Sequence, residues 1–151
     1  MLKVGSEAPD FSVPLHTGQM FRLSEYRGRN NVVLFFYPKD FTTGCTAEAC
    51  AFSDHLDEMS GQSAVVIGIS ADSTQRHLEF AKEKNLRFPL GSDENRSIMK
   101  LYGAVRFGMP LRVTYVIDKS GLIRGAAHHE ILISNHLQSA ISVLRDIEAK
   151  K

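Results

Sequence analysis

Asn31-Val-Val-Leu-Phe-Phe-Tyr37 runs directly into Pro38-Lys-Asp-Phe-Thr42-Thr-Gly-Cys45-Thr-Ala-Glu-Ala-Cys50. The first seven residues form an unbroken apolar run rich in β-branched and aromatic side chains, which suits a strand buried on both faces of a sheet. Pro38 ends that strand. After a short turn, Cys45, Ala49, Phe52, Leu56 and Met59 recur at alternating spacings of four and three, so a helix from about residue 45 to 60 carries them on one inward face. Cys45 is therefore expected at a helix N-terminus, where free backbone N–H groups and the helix dipole favour an anion. The thiolate is the form of cysteine that attacks.

The same reading extends outward. Ala64-Val-Val-Ile-Gly-Ile-Ser70 and Arg112-Val-Thr-Tyr-Val-Ile-Asp118 are further strand-like runs, and the turn Lys119-Ser-Gly121 returns the chain through Leu122–Ala126 as a hairpin partner. Helical patterns cover roughly 74 to 84, 95 to 103 and 134 to 149, the last with Leu137, Ile141, Leu144 and Ile147 in phase. Strands alternating with helices predict an α/β architecture with a central mixed sheet, parallel in the middle and antiparallel at one edge. This is the order of a thioredoxin fold. Phe11-Ser-Val-Pro14 and Phe21-Arg-Leu23 read as an added N-terminal β-hairpin followed by a short helix.

Composition narrows the function classes. The chain has 151 residues, 43% of them hydrophobic, which suits one domain over residues 1–151 with one core. A net charge of +1, with Lys and Arg scattered, offers no basic stripe for nucleic acid. The sequence contains no apolar run long enough for a membrane span, and its first residues do not resemble a signal peptide, so a cytoplasmic location is expected. Cysteines in such a chain are ordinarily reduced and often only small buried hydrophobes. Here both fall within six residues, just after a strand and a turn.

On an ideal helix Cys50 is turned about 140° from Cys45 and raised about 7.5 Å, which puts their Cα atoms roughly 8–9 Å apart. A disulfide requires less than about 7 Å. If the two pair, the first turns of the helix must unwind.

Pro38-Lys-Asp-Phe-Thr42-Thr-Gly-Cys45 resembles the Pro-x-x-x-Thr/Ser-x-x-Cys signature of peroxiredoxins. The context Cys45-Thr-Ala-Glu-Ala-Cys50 is similar to the subgroup known as bacterioferritin comigratory protein or peroxiredoxin Q, and the likeness runs from Gly5-Ser-Glu-Ala-Pro-Asp-Phe11 through the Arg112–Asp118 strand. The resemblance implies an antioxidant thiol peroxidase for hydrogen peroxide and organic hydroperoxides. Cys45 would be the peroxidatic cysteine, Thr42 would hydrogen-bond thiolate and peroxide, Pro38 would shield the site, and Arg112 would hold Cys45 anionic. Cys50 would be the resolving thiol, forming an intramolecular disulfide that thioredoxin or a similar dithiol reductant reopens. No metal or organic cofactor is implied. No cysteine follows Cys50, so resolution is expected within one chain, with a monomer or weak homodimer as the assembly.

Plainer readings stand beside these. Pro38 suits a strand end, Thr42 or Thr43 suits a helix N-cap, and Arg112 suits a solvated strand terminus. Glu48, one turn from Cys45, could orient Arg112, although a surface carboxylate is the simpler assignment. A thiol-disulfide oxidoreductase shares the fold but typically carries Cys-x-x-Cys. A zinc module drawing on Cys45, Cys50, His55 and the His128–His129 pair fits no common ligand spacing, and that pair reads as exposed loop. Phe41, Phe107 and Met109 are candidate lining residues of the substrate pocket.

Overall fold

The computed structural model of the chain describes residues 2–127 and 133–149; the His128–His129 pair and the side chain of Glu48 lie outside what is described. Strand β1 (Ser12–Pro14) pairs antiparallel with β2 (Met20–Arg22), and a 3-10 turn over Leu23–Tyr26 follows, as the sequence predicts for the N-terminal addition. Then come β3 (Asn31–Phe36), α1 (Thr43–Asp54), α2 (Leu56–Ser60), β4 (Ala64–Ser70) and α3 (Thr74–Glu83). The chain continues through β5 (Leu90–Ser92), α4 (Ser97–Leu101), β6 (Val105–Arg106), β7 (Met109–Pro110), β8 (Val113–Ile117), β9 (Ile123–Ala127) and α5 (Ile133–Ala149).

The central sheet has the order β5-β4-β3-β8-β9. β3, β4 and β5 are parallel, while β8 and β9 run antiparallel, which is the mixed sheet expected from the sequence. Because successive side chains alternate across a strand, β3 feeds two cores. Val32, Leu34 and Phe36 pack with the N-terminal hairpin and α4, whereas Val33, Phe35 and the following Tyr37 pack with α1, α3 and α5. Every residue of β3 is buried, in keeping with an apolar run that does not alternate.

Three details depart from the expected elements. The helix predicted from about 45 to 60 is broken at His55. The Ser53 carbonyl, which a continuous helix would offer to residue 57, accepts from Arg87 Nη2 at 2.6 Å, while the His55 N–H keeps its helical bond to the Ala51 carbonyl at 3.2 Å as the last of α1. Strand β5 carries no strand signal, since it is three residues long with a central glycine. Gly91 is required there because an added Cβ would stand 2.9 Å from Val13 of β1. The third is β6–β7, a hairpin whose two-residue turn is Phe107-Gly108 with positive φ at both positions. Among the described residues no helix is long and apolar enough to cross a membrane.

Candidate active site

The C-terminal end of β3 and the start of β8 are neighbours because the strands are antiparallel with Phe36 opposite Val113. Tyr37 and Arg112, one residue beyond this pair on their respective strands, therefore come level at the same end of the sheet. Alternation sends both toward the face covered by α1 and α5. There Arg112, only 5% exposed, donates from Nη2 to Cys45 Sγ at 3.3 Å. Cys45 is the third residue of α1 and is 1% exposed. The Thr42 carbonyl receives the first helical bond from the Thr46 N–H at 2.8 Å, which makes Thr42 the N-cap residue. The sulfur thus sits in the first turn of a helix with a guanidinium against it.

The other predicted residues fall around this pair. Thr42 is exposed, and its hydroxyl donates to the Lys39 carbonyl at 3.0 Å while accepting no capping bond from the helix N–H groups. Pro38 is half-buried in the loop between β3 and α1. Cys50 is also on α1, half-buried, and is a free thiol like Cys45. Ala49, Phe52 and Met59 are fully buried and Leu56 packs against them, so the predicted inward face is present despite the break at His55. Phe41 turns toward α3, with its ring 5.0 Å from that of Phe80 and beneath the Arg76 guanidinium at 5.1 Å. Phe107, 91% exposed, and Met109 project from the β6–β7 hairpin.

A second cluster, which sequence reasoning missed, lies just behind the loop. Tyr37 Oη donates to Asp40 Oδ1, and His77 Nδ1 lies 2.5 Å from Asp40 Oδ2. The other ring nitrogen of His77 faces the Gly91 carbonyl at 3.0 Å. Asp72 accepts from the Asp40 N–H at 2.8 Å and from Ser70 Oγ at 2.6 Å, and it forms an ion pair with Arg76 at 3.1 Å. Burial, reinforced by the Asp40 carboxylate, pushes the Tyr37 phenol well above its ordinary range, so it stays protonated and donates. Asp40, Asp72 and His77 stand close enough together to suggest a metal site. Their donor atoms are already engaged with one another and with Tyr37, Ser70, Arg76 and Gly91, so the cluster is a hydrogen-bonded brace. The available signal was His77, which shares the inward phase of α3 with Phe80 and Ala81.

Fold and site together define a thiol-dependent oxidoreductase built on a thioredoxin fold. The AhpC/TSA family matches residues 4–126, and the chain belongs to that family. It is 37% identical to the putative peroxiredoxin bcp of Coxiella burnetii, over 95% of this chain and 99% of the relative. It is 39% identical to the chloroplastic peroxiredoxin Q of Oryza sativa subsp. japonica, over 95% of this chain and 67% of the relative. The crystal structure of peroxidoxin BcpB from Mycobacterium tuberculosis superposes with a TM-score of 0.91 at 35% identity, covering 97% of this chain and 99% of that one. The chain is a peroxiredoxin of the Bcp and peroxiredoxin Q kind, hence a peroxidase. Membership implies peroxide substrates and a thioredoxin-type reductant.

Proposed function

We propose that Cys45 is the peroxidatic cysteine and Cys50 the resolving one. The observation that carries this is the 3.3 Å contact from Arg112 Nη2 to Cys45 Sγ in the first turn of α1. The Cys45 thiolate attacks one oxygen of a hydroperoxide. The O–O bond breaks, sulfur takes that oxygen as sulfenic acid, and the other oxygen leaves as water or an alcohol after taking a proton. Sulfur is oxidised by two electrons and the peroxide is reduced by two. Arg112 stabilises the charge that develops as the bond breaks. Thr42, at the helix start, supplies a hydroxyl to thiolate and peroxide once it leaves the Lys39 carbonyl, and Pro38 screens the loop side from water.

The Cys50 thiol then condenses with the sulfenic acid, releasing water and forming a Cys45–Cys50 disulfide within the chain. Both residues lie in helical conformation here, so this step unwinds the start of α1. A dithiol of the thioredoxin type reopens the bond by exchange. Hydrogen peroxide and organic hydroperoxides share the reacting bond and are both substrates in this reading. The chain acts as one domain, as a monomer or weak homodimer, without partnership to nucleic acid or membrane. Two free thiols suit a reducing compartment such as the cytoplasm.

The test follows peroxide consumption with a thioredoxin system as donor, comparing wild type with Cys45→Ser and Cys50→Ser. Loss of turnover in the first, loss of thioredoxin-supported recycling in the second and a Cys45–Cys50 bond in oxidised wild type are expected. Full activity in Cys45→Ser overturns the assignment.

A further inference from the structure

The loop from Pro38 to Thr42 carries the groups that meet the peroxide, yet two features make it unlike an ordinary surface turn. The first is Asp40, which is 0% exposed although it is an aspartate in a loop. All of its polar atoms are engaged: Oδ1 by Tyr37, Oδ2 by His77, the N–H by Asp72 and the carbonyl by Arg76 Nη2 at 3.5 Å. The second is Phe41, which has a left-handed backbone with φ of 65°. For a bulky residue that conformation costs on the order of 1–3 kcal/mol and persists only where surrounding contacts over-determine it. The contacts are the Phe80 ring on one side and the Arg76 guanidinium on the other.

These contacts tie the loop to the rigid body of the sheet. His77, also 0% exposed, links Asp40 to the Gly91 carbonyl of β5, and Asp72 and Ser70 extend the link to the end of β4. The tie ends at Phe41. Residue 42 is the helix cap, and from residue 43 onward the chain is the helix that unwinds for the disulfide.

We propose that Asp40, braced by His77 and Tyr37, is a positioning residue that fixes the peroxide-binding loop during reduction of the substrate and takes no part in disulfide formation. The proposal rests on the assignment of Cys45 and Thr42 above. A misplacement of about 1 Å in such a loop is enough to cost roughly 100-fold in rate. Disulfide formation needs mobility only downstream of the tie, so the two steps separate.

The experiment measures two rates in each variant, the oxidation of Cys45 by hydrogen peroxide and the subsequent formation of the Cys45–Cys50 bond. Asp40→Ala is expected to slow oxidation about 10- to 100-fold, with disulfide formation no slower than about half the wild-type rate. Asp40→Asn is expected to restore oxidation to within about threefold. Its carboxamide oxygen still accepts from Tyr37, and its NH2 donates to His77 Nδ1 while the ring proton sits on Nε2 toward Gly91. A purely electrostatic role would predict no such rescue. Should Asp40→Ala fail to fold, Tyr37→Phe decides, with an expected loss of about two- to fivefold confined to oxidation. Wild-type oxidation in Asp40→Ala or, in its place, in Tyr37→Phe overturns the proposal, as do equal losses in both steps or an Asn variant as slow as Ala. Failure of wild-type Cys45 to be oxidised by peroxide overturns the underlying assignment instead.

Discussion

Arg112 Nη2 reaches Cys45 Sγ across 67 residues of sequence. The contact exists because β3 and β8 are antiparallel neighbours, and because the chain leaves β3 at the very end where it later enters β8. A strand register therefore places a cation against a helix N-terminus, and the sulfur between them feels both.

In the proposed reaction Arg112 also stabilises the charge that develops as the O–O bond breaks. Arg112→Met is expected to lower the second-order rate with hydrogen peroxide roughly 100- to 1,000-fold, the range seen when one preorganised donor to a developing charge is lost. Arg112→Lys should recover only part of this, since an ammonium is a point charge without the planar fork. The check is single-turnover oxidation of Cys45, and a Met variant within threefold of wild type would count against the role of Arg112.

Gly68 on β4 faces Phe35 on β3, and a Cβ there would stand 2.6 Å from the Phe35 ring. That ring stacks on Phe52 of α1 at 4.7 Å between centroids. Gly68→Ala must push Phe35 toward the helix that carries Cys45, so it is expected to destabilise the protein by about 1–3 kcal/mol. Urea unfolding reads this directly as a lowered midpoint with an unchanged slope.

The parts of this molecule legible in its sequence are those with long, uniform patterns. Three apolar runs marked β3, β4 and β8 nearly to the residue, and the phase of Cys45, Ala49, Phe52 and Met59 marked the buried face of α1 and α2. Arg112 and Cys45 were paired through a family resemblance, because nothing local to either residue announces a partner 67 positions away. The break at His55 depends on Arg87 drawing off the Ser53 carbonyl, a contact made only after folding. Strand β5 was hidden by its three residues and its glycine, and the Asp40–His77 brace by the convention that aspartates in loops face water. In each case the deciding partner is distant in sequence.

Disulfide formation should be visible as lost helix. Cys45 and Cys50 both lie within α1, where an intact helix keeps their Cα atoms roughly 8–9 Å apart, beyond the reach of a disulfide. One equivalent of hydrogen peroxide is expected to reduce the helical circular dichroism signal at 222 nm in wild type, and dithiothreitol to restore it. Cys50→Ser should show no such change. An oxidised wild type with an undiminished signal and a mapped Cys45–Cys50 bond would refute the unwinding.

His16 supplies the pH dependence. Its backbone N–H bonds the Leu90 carbonyl, and its ring Nδ1 accepts from the Leu90 N–H at 3.1 Å, so the ring must stay unprotonated at that nitrogen. Burial, and then the neighbouring His77, hold the imidazole below its ordinary value of 6.5. Unfolding frees the ring to take a proton more readily, so the unfolded chain binds more protons in this window. The stability that His16 contributes is therefore fully present above about 6.5 and is lost as pH falls from there through the lower folded value. In His16→Gln the side-chain carbonyl can still accept from Leu90 but does not titrate. The fall in urea midpoint between pH 7.5 and 5.5 is expected to be smaller in the variant than in wild type. Equal falls in the two proteins would assign the acid sensitivity to other groups.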